Sequence, residues 1–328
     1  MQVRKPVAIL SYVELKDLPR LLEAKKKSHL PKDTSVYVGS YGVNRTSADL
    51  IHGANSKYAP MFSITGDTAY WQKRNLSPAD EAKVELHTPA RFKGHVPDFN
   101  ALASLSPTEV VAWGRELGMR YRDRLRAENA QGTHADTWQL DEILGEAAQS
   151  GTRAVTEQRF IRGVLQGIST GRAELGDKPQ QGIVYAAQSA AALARSGSAP
   201  AKLLLEALKH AAFRVVGEEY PDFRGSPKAA ASAYDTWQEY LRAAGRRLAD
   251  LASKYVVGLT PGYRLGVGLG GNSAGLSKGQ VDQWRNAYVD ARKRSGVAGF
   301  AEFHFRYGNS NGSVMDAAVE AVARGVKK

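Results

Sequence analysis

Cysteine does not occur in this sequence. Its absence rules out disulfides, thiolate metal sites and a thiol nucleophile, and leaves the redox compartment open. Long apolar runs are missing as well: no window approaches the roughly 18 consecutive apolar residues of a membrane-spanning helix, so no membrane partner is expected. The start, MQVRKPVAILSY, holds an apolar run of only Val7–Leu10, too short for a secretory signal. No targeting segment is therefore expected in the chain as it stands, which reads as cytoplasmic, or as extracytoplasmic if a leader was removed. The seven histidines (29, 52, 87, 95, 134, 210 and 304) form neither an HxH pair nor HExxH, which argues against a histidine-rich zinc site. The sequence also lacks a Walker pattern, and no dinucleotide fingerprint stands directly at the end of a strand. No cofactor and no metal are expected.

Acidic residues are outnumbered by basic ones, 33 against 45, for a formal net charge of +12. Such a surplus favours anionic partners. The densest basic run, Arg120, Arg122, Arg124 and Arg126, reads as the solvated outer face of a helix whose other face is apolar. A nucleic-acid surface would add interleaved aromatics and glycine, so nucleic acid is disfavoured.

What is present is the alternation of an α/β protein. Short apolar or β-branched runs recur at Val7–Tyr12, Ser35–Ser40, Met61–Ile64, Ala135–Leu140, Gly182–Ala187, Arg214–Glu218, Val256–Thr260 and Gly299–Phe305. Several, such as VAIL and GIVYAA, are apolar without alternation, as in parallel strands covered on both faces. Helical signals fill the gaps. Leu15–Ser28 follows the first run, and a shorter helix opens at Thr46 with Asp49 as its capping partner. Ser106-Pro107-Thr108-Glu109 is a strong start signal: hydroxyl cap, proline at the first position, glutamate three residues after the cap. The helix it opens runs to about Glu128, with Val110, Gly114, Leu117, Tyr121 and Leu125 on one stripe. The next helix spans about Arg153 to Gly171.

Eight such strands alternating with helices predict a (β/α)8 TIM-type barrel, one domain over residues 1–328. The long gap after the third strand predicts an inserted loop at 66–105 over the barrel mouth, carrying Pro78, Pro89, Pro97, His87 and His95.

Residues at the C-terminal ends of barrel strands converge on one mouth. Those ends supply Tyr12, Tyr41, Asp67, Trp71, Trp138, Gln188, Tyr263 and Arg306 as candidate ligand-binding residues. They also supply Asp141, Glu142, Glu218, Glu219, Glu302 and His304 as candidate catalytic groups. Acids mixed with aromatics suit a polyhydroxylated ligand, an oligosaccharide or polysaccharide that is itself anionic in some readings. Glycoside hydrolysis needs two carboxylates across the scissile bond. Glu142 reads as the acid, with Trp138 and Leu140 in phase with it to raise its proton affinity by desolvation. Glu218 or Glu219 reads as the second carboxylate, then Glu302, in phase with His304 and Arg306; Asp141 and His304 would tune the pair.

In this layout the chain resembles the barrel glycoside hydrolases, in which an acid follows the fourth strand and aromatic residues line a sugar cleft. The resemblance covers the architecture, and as a motif only Asp141 and Glu142. It implies hydrolysis of a glycosidic bond by a carboxylate pair. The sequence departs from the large retaining clan, where asparagine precedes the acid and the seventh strand carries the nucleophile: here Asp141 precedes Glu142, and VVGLTPGYR contains no acid. It departs from the chitinase-type pattern at Leu140, where an aspartate would be required.

Two other readings stand beside this one. GYRLGVGLGGNSAGLSKGQ and RYGNSNGS follow the seventh and eighth strands, and each leads into a helix. Their Gly270, Gly271, Asn272, Ser273, Ser310, Asn311 and Gly312, with Arg264 or Arg306, suit an enzyme acting on a phosphorylated ligand. The charge of +12 suits a non-catalytic binder of anionic polymers. A hard cation held by Asp67, Asp141 and Glu218 weighs less.

Overall fold

The computed structural model describes residues 7–10, 35–40, 44–63, 78–93, 96–141, 151–186, 213–217, 255–259 and 299–302. The described residues hold eight strands, in chain order β1 (Val7–Leu10), β2 (Ser35–Ser40), β3 (Ser56–Ser63), β4 (Trp138–Asp141), β5 (Gly182–Ala186), β6 (Phe213–Gly217), β7 (Tyr255–Leu259) and β8 (Gly299–Glu302). The described helices are α1 (Arg45–Gly53), α2 (Pro78–His87), α3 (Phe99–Ala103), α4 (Pro107–Ala130) and α5 (Gly151–Thr170).

The strands overlap the apolar runs that predict them, with ends within about three residues except in β3, which begins at Ser56 rather than Met61. Consecutive buried residues explain why the runs do not alternate. Val36, Tyr37 and Val38 in β2, and every residue of β4, are buried, so both faces of these strands are covered, as parallel sheets require.

The chain divides into two compact units, Met1–Ala59 with Val215–Lys328, and Pro60–Arg214. In the first, β1 pairs in parallel with β2 and with β8, β8 with β7, and β7 with β6. These pairings make a five-stranded parallel sheet in the order β6-β7-β8-β1-β2, curled as a half-barrel. In the second, β4 pairs in parallel with β3 through Met61–Ser63 and with β5.

The predicted (β/α)8 TIM-type barrel is therefore corrected. The architecture is α/β with a curled, all-parallel sheet, not a closed eightfold barrel. The reason is physical. Regular βα spacing makes each strand parallel to its neighbours. Closure depends on strand tilt and on the stagger accumulated around the ring, and short apolar runs encode neither.

Helix starts follow their caps. The Ser106 hydroxyl accepts from the Glu109 N–H (3.3 Å), and the Glu109 carboxylate accepts from the Ser106 N–H (2.9 Å), with Pro107 at the first position. The Ser106 hydroxyl also donates to the Glu109 carboxylate (2.6 Å), and this bond, with that from the Ser106 N–H, holds the Glu109 pKa below its ordinary value. At α1 the expected start at Thr46 is displaced. Asn44 is the cap, its side chain accepting from the Ser47 N–H at 2.9 Å while Ser47 Oγ accepts from the Asn44 N–H. Asparagine is as good a cap as serine or threonine, and it comes first in the chain.

Within 66–105, the described residues hold α2, a 3-10 turn at Ala90–Phe92 and α3, where sequence predicts a long loop. Buried Phe92 meets Trp113 of α4 edge-on at 5.0 Å, and Phe99 meets Phe160 of α5 edge-on at 5.7 Å.

The apolar stripe of α4 is buried as expected: Val110, Gly114, Leu117, Tyr121 and Leu125. Where α4 meets α5, backbone approaches backbone. Gly114 and Gly118 of α4 face Gly163 and Gly167 of α5, and a Cβ at any of the four would strike the opposite backbone. At Gly118 it would lie 2.6 Å from the Ile168 nitrogen, and at Gly163 2.7 Å from that of Arg115. Only hydrogen in place of a side chain allows this approach.

Gly118→Ala should therefore destabilise the protein by about 1–3 kcal/mol through overpacking, although alanine is intrinsically the better helix former by about 1 kcal/mol. Gly53→Ala in α1, where a Cβ meets nothing within 4 Å, should be neutral or stabilising. Urea unfolding of the two variants reads the contrast; equal effects would refute the close-contact account.

Candidate functional site

The C-terminal end of β4 is the part of the predicted site that the described residues contain. Register fixes which way its side chains go. Phe62 of β3 stands beside Leu140, and its ring stacks on Tyr121 of α4 at 4.3 Å with a 17° interplanar angle. Residues in register on parallel strands share a face, and successive residues alternate. Leu140 and Trp138 thus share the α4 face with Phe62, and Gln139 and Asp141 lie on the opposite one. Asp141 is the last residue of the strand, beside Ser63, and is 2% exposed. Gln139 behind it is fully buried.

Trp138 is fully buried. Its indole crosses the Phe213 ring edge-on at 5.4 Å and fills the space that a side chain at Gly182 would need. Among the described residues, the indole Nε1 meets no hydrogen-bond acceptor. Glu302 ends β8, its backbone in register with Leu10 and Leu259. Glu142, Glu218, Glu219, His304, Tyr12, Tyr41, Asp67, Trp71, Gln188, Tyr263 and Arg306 lie outside the described residues, as do both glycine-rich segments. Among the described residues, no group of three histidines or carboxylates is placed to hold a metal ion, and no helix is long and apolar enough to cross a membrane.

A denser set of charges lies inside the Pro60–Arg214 unit, and the sequence reading missed it. Arg172, just after α5 and 2% exposed, donates through Nη2 to Glu116 and through Nε to Asp123 (2.9 Å), both on α4. Arg126 bridges Asp123 (2.8 Å) and Asp177 (2.6 Å). Arg122 donates to the carbonyls of Ile168 (3.1 Å), Ser169 (3.3 Å) and Lys178 (3.0 Å). Arg120 donates to the Phe92 carbonyl and stands 3.7 Å from Glu116 and 3.8 Å from Glu85.

The arginine run is thus not one solvated face. Arg120 and Arg122 are buried. Residues two apart on a helix point in nearly opposite directions, so four arginines at two-residue steps cannot share a side. A better signal was available: Glu116, Arg120 and Asp123, spaced four and three, share a stripe beside Leu117 and Tyr121.

Burial and pairing pull against each other here. Burial raises the Glu116 pKa above its ordinary value, outweighing the opposing hydrogen bond and charge of Arg172. Burial likewise lowers the pKa of Arg120 and of Arg122. For Arg172, burial is the largest single influence and lowers the pKa, but the bonds to Glu116 and Asp123 together raise it. The two partners therefore differ: the pair favours the charged form of Arg172, whereas burial disfavours that of Glu116. Chemically the cluster is a tie between α4 and the segment after α5, its charges directed at one another and at backbone carbonyls.

Two outcomes follow for stability. A carboxyl whose folded pKa is raised contributes stability below its ordinary value of 4.5, and loses it as pH rises through the folded pKa. Urea unfolding across that interval should show the wild type gaining on Glu116→Gln as pH falls. Arg172→Met should instead cost about 3–5 kcal/mol at pH 7, because buried Glu116 loses its hydrogen-bond donor and Asp123 keeps only Arg126.

In comparisons with known proteins, no protein-family model matches this sequence and no curated protein matches it.

Proposed function

We propose that this protein acts on a carbohydrate at the C-terminal ends of its parallel strands, hydrolysing a glycosidic bond with carboxylates. One observation carries the reading: Asp141, a nearly fully buried carboxylate, ends β4 on the face turned away from α4. In α/β folds, ligands bind outside the carboxyl ends of the strands. A carboxylate is costly to bury, and a functional role is one reason for a chain to keep one there.

In this reading Glu142, the next residue, protonates the leaving oxygen, and Asp141 tunes it. The reaction needs a second carboxylate; Glu218, Glu219 and Glu302 are the further acids that the sequence supplies at strand ends. The net charge of +12 supports a second reading, a non-catalytic binder of anionic polymers.

Release of reducing ends from a panel of neutral and acidic polysaccharides tests the first reading. Glu142→Gln should lower turnover by about 10²–10⁴-fold, the usual worth of a general acid, without changing the unfolding midpoint. Wild-type turnover in that variant would overturn the assignment. Salt-sensitive polymer binding that survives Asp141→Asn and Glu142→Gln, with no product formed, would select the binder instead.

A further inference from the structure

We draw no further inference here: the strongest candidate, the side-chain cluster of Glu116, Arg122, Asp123, Arg126, Arg172 and Asp177 between α4 and the segment after α5, directs its arginines at its own carboxylates and at backbone carbonyls, and nothing among the described residues points to a ligand for it.

Discussion

The contact on which the Pro60–Arg214 unit depends is the backbone-to-backbone approach of α4 and α5 through Gly114, Gly118, Gly163 and Gly167. Helices usually pack about 8–10 Å apart, with side chains setting the gap. Here the gap is set by the main chain, and the reach of the surrounding groups follows from it. Arg122 extends from α4 to the last carbonyls of α5, and Arg172 returns from beyond α5 to Glu116 and Asp123. A layer of alanine or larger side chains between the helices would move those partners apart. The polar cluster is thus downstream of the glycines.

The cluster also changes how the charge of the chain is read. Arg120, Arg122 and Arg172 count toward +12, yet all three are buried and offer little to an anionic partner in solvent. Arginine suits this role because its planar fork can serve two carboxylates or several carbonyls at once. Breaking one half of such a pair costs more than the pair is worth, because the surviving charge keeps its desolvation penalty.

Local chemistry made much of this structure legible in the sequence. The Ser106–Glu109 capping box, the stripe from Val110 to Leu125 and the eight apolar runs each depend on residues close together in the chain. What was not legible depends on distant parts. Closure of the sheet is a property of tilt and stagger around a whole ring, so regular spacing suggested an eightfold barrel that the structure does not support. Arg172 and Asp177 gave no local sign that they would meet α4, and Gly163 and Gly167 carry no local mark of the close contact inside the expected Arg153–Gly171 helix. Of the proposed site, only Asp141 and Trp138 are described with their side chains. The register of β4 separates the faces on which they lie.

Arg122 leaves one further mark. The final carbonyls of a helix have no partner within it, and for Ile168 and Ser169 the donor is a side chain from α4, 46 and 47 residues earlier. The same guanidinium holds Lys178, on the way to β5. The last turn of α5 thus takes part of its capping from a neighbouring helix, and a single guanidinium fastens that turn to the segment that follows it.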